Sequence, residues 1–195
     1  MAKLTLEQLA KLDLRETLLH QRYKVSGEMA HQAMLKISEE VNDIIGQKRR
    51  IQNVALYAAI NKEIDMKFLA EMLTMRGLTV CLPRVLRKGE PMIFNTWDML
   101  PLADKDAEGI PCAMGEQVVP DVVVIPVVAY NKQGYRLGYG SGYYDRTFSV
   151  YASQEHEPLK IGVGYAFQES DKFAGEEHDV PLDVMVTEKS TQSFK

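Results

Sequence analysis

The segment RLGYGSGYYDR, residues 136–146, combines backbone freedom and charged side chains at a density found nowhere else in the sequence. Its glycines, Gly138, Gly140 and Gly142, let a loop turn tightly and bring backbone N–H groups close to a ligand. A helical pattern, YYDRTFSVY, begins at 143, and a helix N-terminus adds partial positive charge. Together these features favour phosphate binding. The GxGxG spacing fits neither a P-loop nor the dinucleotide fingerprint, and glycine loops of this kind are often only turns.

Charged residues around the loop leave two interpretations open. Arg136 and Arg146 have planar donors suited to phosphate oxygens, although a surface arginine is usually solvated or paired with an acid. Asp145 could simply favour the helix N-terminus, but beside a bound phosphate it would need a cation, and Mg²⁺ suits carboxylate and phosphate oxygens. The cluster EEHDVPLD at 176–183 supplies Asp179 as a second candidate ligand. Taken alone, that cluster is more typical of a solvated loop.

The loop must be held by regular elements, and short β-rich apolar runs predict six strands. These runs are 53–60, 78–83, 91–97, 120–128, 160–166 and 182–187. Apolar residues at helical spacing predict two helices between 6 and 46, the second beginning near Ser26, and another at 65–77 that Gly77 ends. Strand, helix and strand then form a βαβ unit, so the sheet should be mainly parallel. Pro126 cannot donate to a sheet ladder, which weakens the strand prediction near its end.

Length and composition predict one three-layer α/β/α domain over residues 1–195, in which N-terminal helices 1–47 pack on an α/β core at 53–190. The net charge of −4 and the absence of a long basic run argue against a nucleic-acid partner. The two cysteines lack CxxC spacing, and no signal peptide or membrane-spanning run is evident. We expect a cytoplasmic monomer that binds small molecules and no membrane.

The glycine loop resembles the signature of the 5-formyltetrahydrofolate cyclo-ligase family, and other segments match that family in order: KLDLR at 11–15, NKEID at 61–65, CLPRV at 81–85 and HDVPLDVMVTE at 178–188. The resemblance implies the sheet type of sugar-phosphate isomerases and CoA transferases. It also implies an ATP-driven reaction, in which the formyl oxygen of 5-formyltetrahydrofolate is phosphorylated, the folate amine attacks the activated carbon, and phosphate leaves. The products would be 5,10-methenyltetrahydrofolate, ADP and phosphate, and polyglutamylated folate is a further expected substrate.

The resemblance implies roles for individual residues, with magnesium held by Asp145 and Asp179. The expected ATP contacts are Lys11, Arg15, Arg136, Gly138, Tyr139, Gly140, Ser141, Gly142, Tyr143 and Tyr144. The expected folate contacts are Arg15, Ala58, Glu63, Trp97, Tyr139, Gly140, Gly142 and Tyr143. Glu63 would accept N–H donors from the pterin edge, and Trp97 would stack on a ring unless it belongs to the core. Arg136, Tyr143 and Asp145 would be the catalytic residues.

One departure from the family concerns charge in the loop. Some members carry basic residues where this chain has Tyr139 and Ser141, so the phosphates would be neutralised by Lys11, Arg15, the arginines flanking the loop and the metal. Two other functions remain open from the residues: a non-catalytic protein that binds folate or nucleotide, and a phosphosugar isomerase. Consumption of ATP separates both from a cyclo-ligase.

Overall fold

The computed structural model describes residues 5–194. Four α-helices are α1 (Leu6–Tyr23), α2 (Gly27–Gly46), α3 (Lys67–Met75) and α4 (Tyr143–Ser153). The strands are β1 (Asn53–Ala55), β2 (Thr79–Arg84), β3 (Ile93–Thr96), β4 (Asp104–Lys105), β5 (Pro111–Cys112), β6 (Gln117–Val118), β7 (Val122–Pro126), β8 (Ala129–Tyr130), β9 (Arg136–Leu137), β10 (Leu159–Val163), β11 (Val184–Val186) and β12 (Thr191–Ser193). A short 3₁₀ helix occupies Ala166–Gln168.

The central sheet has the strand order β12-β11-β10-β7-β1-β2-β3-β6. Its five inner strands, β11, β10, β7, β1 and β2, pair in parallel. At one edge β12 pairs antiparallel with β11, and at the other β3 pairs antiparallel with β2 and β6 with β3. This confirms the predicted mainly parallel sheet. The chain runs from β1 outward to β2, then returns to β7 on the other side of β1 and continues outward to β10. The strand order therefore reverses between β1 and β7.

Helices cover both faces of the sheet because successive strand residues point to opposite sides. Val122 and Val124 of β7 lie in the apolar cluster shared with α2 and α3. Val123 and Ile125 lie in the cluster on the other face, together with Phe148 of α4. These four of the five β7 side chains are fully buried, as the doubly apolar run predicted. The predicted α/β/α layering is confirmed.

Local signals in the sequence define several element ends. Ser26 is the N-cap of α2, where its hydroxyl accepts from the Met29 N–H at 3.2 Å. Gly77 follows α3 with φ of +77°, and the Leu78 N–H closes the helix end on the Leu73 carbonyl at 3.1 Å. Pro126 is the last residue of β7, where its missing donor costs the ladder least. These observations confirm the predicted start of α2 and the predicted end of α3, whereas α3 begins at Lys67, two residues later than the predicted start at residue 65.

Helix α1 lies apart from the two covering layers. Its Leu14 and Leu18 pack against Val128, Ala129 and Leu137, which belong to the β8–β9 hairpin and the chain leading into it. The glycine loop follows β9 directly, so this packing fixes α1 beside the loop. Within residues 5–194, no helix combines the length and the apolar character that crossing a membrane requires.

Candidate active site

A cavity of about 530 Å³ opens at the carboxyl edge of the parallel strands. Its wall includes Tyr57 and Ala58 after β1, Pro83 and Val85 around the end of β2, and Pro126 at the end of β7. The cavity therefore lies where the strand order reverses between β1 and β7. Open α/β sheets bind their ligands at this position, because the connections on either side of it diverge and leave a crevice.

The glycine loop forms one wall of the cavity. Gly140 has φ of +100° and Gly142, the N-cap of α4, has φ of +63°, so both occupy backbone conformations that favour glycine. The Arg15 guanidinium is tied to the loop, because its Nε donates to the Gly138 carbonyl at 2.7 Å. A Cβ on Gly140 would lie 3.7 Å from the Arg15 Cζ. The structure thus brings this arginine against the predicted phosphate-binding backbone.

Lys11 reaches the same cavity from one turn earlier on α1. Its Nζ pairs with Glu7 Oε1 at 3.2 Å and with Glu176 Oε1. Burial lowers the pKa of Lys11, but the hydrogen bonds to Glu176 and Glu7 outweigh this effect, so that its pKa is raised overall. Burial lowers the pKa of Arg15, although a guanidinium keeps its charge in proteins. The i, i+4 pair therefore supplies two cations to the cavity.

Arg136 and Asp145 form an ion pair in the cavity wall. The Arg136 Nη2 donates to Asp145 Oδ1 at 2.7 Å, its Nη1 donates to the Val180 carbonyl, and the Val180 N–H donates to the same carboxylate oxygen at 3.0 Å. The guanidinium also lies 5.8 Å from the Tyr144 ring centroid. Of the alternatives for Arg136, pairing with a nearby acid is thus the one observed. This pair offsets the charge of Asp145 beside the loop.

Asp145 and Asp179, the two candidate metal ligands, both line the cavity. Asp179 Oδ2 accepts from the Glu176 N–H at 2.8 Å. Among the described residues, the other carboxylate oxygen of each aspartate makes no hydrogen bond. Such a donor set fits Mg²⁺, which takes one or two carboxylates together with waters and substrate phosphates. The described part of the chain contains no cluster of three or more His, Cys, Asp or Glu that could hold a metal.

Tyr143 spans the cavity towards the segment that follows β2. Its hydroxyl donates to Glu108 Oε1 and accepts from the Gly89 N–H at 3.2 Å. The Arg146 guanidinium lies 4.8 Å from its ring centroid and donates through Nη2 to the Ser141 carbonyl at 2.6 Å. The hydrogen bond to Glu108 raises the pKa of Tyr143, and burial raises the pKa of Tyr144. Both hydroxyls are therefore protonated at neutral pH, and the single proton of Tyr143 is donated to Glu108.

Glu63 lines the cavity from the turn after β1. Asn61 and Lys62 precede it with positive φ angles of 48° and 61°, which is uncommon for residues other than glycine. Its carboxylate accepts from the Ile60 N–H at 2.9 Å and from the Tyr139 hydroxyl at 3.1 Å. Burial raises the pKa of Glu63, while these two hydrogen bonds act in the opposite direction. A fixed, partly desolvated carboxylate therefore faces the glycine loop.

The model of the 5-formyltetrahydrofolate cyclo-ligase family matches residues 7–188. The chain belongs to this family. A 5-formyltetrahydrofolate cyclo-ligase of Mycoplasma pneumoniae is 30 % identical over 177 residues, which is 90 % of this chain and 97 % of the relative. One of Haemophilus influenzae is 30 % identical over 174 residues, covering 85 % and 91 % of the two chains.

Solved structures give the same family and fold. A 5,10-methenyltetrahydrofolate synthetase from Mycoplasma pneumoniae superposes with a TM-score of 0.74 at 28 % identity, covering 91 % of this chain and 98 % of that chain. The synthetase of Aquifex aeolicus gives a TM-score of 0.72 at 31 % identity, covering 95 % and 93 %. The resemblance inferred from the glycine loop is confirmed, and the cyclo-ligase family is one of ligases that act in folate one-carbon metabolism.

Trp97 lies outside the cyclo-ligase cavity, contrary to the expectation that it contacts folate. It follows β3, which runs antiparallel to β2, so the end of β3 lies at the edge opposite the cavity. There the backbone N–H of Trp97 donates to the Val80 carbonyl at 2.9 Å, and its indole N–H donates to the Leu100 carbonyl at 2.9 Å. The ring packs against the α2 and α3 side of the core. The direction of β3, which the sequence does not reveal, decides this position.

Arg22 does not line the cavity but contacts a residue that does, and the sequence reasoning did not identify it. It is 1 % exposed and donates through Nη2 to the Tyr139 hydroxyl in the glycine loop. Arg15 and Arg22 are seven residues apart, two helical turns, and Lys11 lies one turn before Arg15. This spacing places all three cations along one side of α1. It is the signal that could have indicated Arg22.

Proposed function

We propose that this chain is an ATP- and magnesium-dependent 5-formyltetrahydrofolate cyclo-ligase, which forms 5,10-methenyltetrahydrofolate, ADP and phosphate. One observation carries the proposal: a single cavity holds the glycine loop with its cations and, hydrogen-bonded to Tyr139, the half-buried Glu63 carboxylate. A phosphoryl donor and a ring with N–H donors can therefore meet in one enclosure. The family membership supports the reaction, and the cavity suggests how its two substrates are arranged.

The nucleotide phosphates would bind along Gly138–Gly142, where backbone amides are accessible and Arg15 is already in contact with the loop. Lys11 would exchange its pairing with the exposed Glu176 for a phosphate oxygen. Asp145 and Asp179 would hold Mg²⁺, which supplies charge neutralisation for the phosphates when bound. Arg136 keeps the Asp145 carboxylate in place through a side chain only 6 % exposed. Phosphoryl transfer needs this positioning and charge rather than a nucleophilic side chain.

The folate would occupy the part of the cavity lined by Ala58, Met92 and Ile110, with its pterin edge at Glu63. A carboxylate whose plane is fixed by two hydrogen bonds can accept two parallel N–H donors, which selects ring position as well as charge. The apolar lining excludes water around the reacting carbon, so that the activated intermediate is protected from hydrolysis. Binding and orientation would be the main contributions of these residues.

The proposed reaction has two steps, and in each step one bond between non-hydrogen atoms forms and another breaks. The oxygen of the formyl group on N5 attacks the γ-phosphorus of ATP, and the bond between that phosphorus and ADP breaks. The formyl carbon becomes more electrophilic as a result. N10 then attacks that carbon and loses its proton, and the carbon–oxygen bond breaks with release of phosphate. The formyl oxygen leaves with phosphate, so a poor leaving group becomes a good one. The Tyr143 hydroxyl would exchange its hydrogen bond to Glu108 for one to the developing charge.

The test is the near-ultraviolet absorbance of the methenyl product. It should appear only when ATP, Mg²⁺ and 5-formyltetrahydrofolate are all present, with one ADP formed per product. Glu63→Gln should weaken folate use, while Glu71→Gln, an exposed change on α3, should not. Folate binding without ATP consumption would instead indicate a non-catalytic binding protein. Conversion of a phosphosugar without ATP would indicate an isomerase.

A further inference from the structure

Arg22 carries a buried positive charge whose contacts lead into the active site. Its Nε donates to the Asn61 carbonyl at 2.9 Å, its Nη1 to the Val127 carbonyl at 3.3 Å, and its Nη2 to the Tyr139 hydroxyl. Burying a guanidinium is costly unless its donors are used in this way. The contacts join α1, the turn after β1, the end of β7 and the glycine loop. A residue that served α1 alone would not need these partners.

The Tyr139 hydroxyl has its hydrogen-bond direction fixed by Arg22. A guanidinium can only donate, so the hydroxyl oxygen must accept from Arg22 and has its single proton left for another acceptor. That acceptor is Glu63 Oε1, at 3.1 Å. The Asn61 side-chain amide, at 3.4 Å, also donates to the hydroxyl and leaves this direction unchanged. The result is a one-way chain of donors from Arg22 through Tyr139 to Glu63.

We propose that Arg22 is a positioning residue, which acts through the Tyr139 hydroxyl to fix the Glu63 carboxylate for folate binding and so couples the folate end of the cavity to the glycine loop. This inference rests on the proposed function, since it takes Glu63 as the folate contact and the loop as the ATP contact. Tyr139 stands between Gly138 and Gly140, so any adjustment of the loop on binding nucleotide moves the group that holds Glu63. Arg22 itself is too buried to touch either substrate.

The chain offers matched variants for this proposal. Tyr139→Phe removes only the hydroxyl of a side chain that is 42 % exposed, so folding should be preserved. Arg22→Lys keeps the charge but loses the planar fork that reaches three acceptors. Tyr23→Phe is the control, because the Tyr23 hydroxyl contacts the Asn61 side chain at 3.1 Å but makes no contact with Tyr139 or Glu63. Thermal melting of each variant checks that it is folded.

The experiment measures the dissociation constant of 5-formyltetrahydrofolate by calorimetry, with and without a non-hydrolysable ATP analogue and Mg²⁺. Tyr139→Phe should weaken folate binding about tenfold, the size expected for losing a hydrogen bond to a charged group. Arg22→Lys should weaken it similarly, and the double variant should bind no more weakly than Tyr139→Phe, since one acts through the other. The ATP analogue should tighten folate binding in the unmodified protein but not in Tyr139→Phe. Tyr23→Phe should match the unmodified protein.

Additive losses in the double variant would overturn the proposal, because Arg22 would then act by a route that bypasses Tyr139. Unchanged folate affinity in Tyr139→Phe would also overturn it, whether or not Arg22→Lys folds. These outcomes leave the proposed function standing as long as the unmodified protein forms the methenyl product. Failure of the unmodified protein to bind folate or to form that product would refute the proposed function itself.

Discussion

Replacing Asp145 with asparagine separates the ion pair that the structure shows from the metal ligation that we propose for the same carboxylate. Its Oδ1 pairs with Arg136, and its Oδ2, which has no hydrogen bond among the described residues, is the oxygen that we propose as a magnesium ligand. Asparagine keeps the shape and an acceptor oxygen but removes the charge. We therefore expect a moderate loss of stability, caused by the ion pair, and a large loss of activity, caused by the metal.

The size of each effect follows from the burial of the pair, in which the Arg136 and Asp145 side chains are 6 % and 24 % exposed. A hydrogen bond between two charged groups stabilises a protein by about 1–2 kcal/mol more than a hydrogen bond to a neutral acceptor. We therefore expect Asp145→Asn to lower the free energy of unfolding by this amount. For a domain of this size that corresponds to a melting temperature lower by roughly 2–8 °C. Loss of a metal ligand should lower kcat by at least about 100-fold, or roughly 2.7 kcal/mol in activation free energy.

Asp179→Asn and Asp43→Asn make the comparison decisive. Asp179 accepts only from the Glu176 N–H, which asparagine can retain, so this variant should lose activity with little change in melting temperature. Asp43 is exposed on α2, and its change should affect neither quantity. The assay is methenyl formation at a series of Mg²⁺ concentrations, alongside thermal melting. Full activity in Asp145→Asn, or loss confined to Asp145→Asn while Asp179→Asn works normally, would refute a shared metal site.

Three further predictions concern the backbone, the pH dependence and the far edge of the sheet. Gly142→Ala places a Cβ on a residue with φ of +63° and 3.1 Å from Arg146 Nη1. We therefore expect the free energy of unfolding, measured with urea, to fall by about 1–2 kcal/mol and the KM for ATP to rise. Unchanged stability would contradict the strain assigned to this position. Burial raises the pKa of Glu63 in the folded state, so the folded protein binds more protons than the unfolded one between the ordinary glutamate pKa and the raised one. Stability therefore falls as the pH rises through this range. Urea midpoints should show this fall in the unmodified protein and not in Glu63→Gln. Asp183→Asn leaves the buried Lys160 ammonium, 3.2 Å away, without its anion, so the free energy of unfolding should fall by about 3–5 kcal/mol in chemical denaturation. The kcat should be unchanged below the melting range. A large loss of kcat would contradict the placement of Asp183 at the amino edge of the sheet, away from the cavity.

The sequence predicts the layers of the fold well because burial leaves a clear periodic pattern. The doubly apolar run of β7 and the N-cap at Ser26 both lie where expected. The run 53–60 does not remain a strand to its end, since β1 stops at Ala55. Beyond it the apolar side chains of Leu56 and Tyr57 are still buried, but the chain has reached the cavity and turns away from the sheet. Composition does not distinguish a strand from an apolar segment beneath a binding site.

The candidate site is predicted unevenly, for a similar reason. The glycine loop and the pair Lys11 and Arg15 depend on local spacing, and the structure brings them together. Trp97 depends on the direction of an antiparallel strand, which local spacing does not contain. Arg22 depends on long-range contacts with Tyr139, although its spacing on α1 gave a hint. Contacts between distant segments are set by topology, so they become evident only once the strands are paired.

The central claim is that the formyl oxygen of the folate is phosphorylated by ATP within this cavity. The most direct measurement uses 5-formyltetrahydrofolate labelled with ¹⁸O in its formyl group and analyses the released phosphate by mass spectrometry. The mechanism predicts one labelled oxygen in each phosphate formed with methenyltetrahydrofolate. Unlabelled phosphate accompanying that product would contradict it.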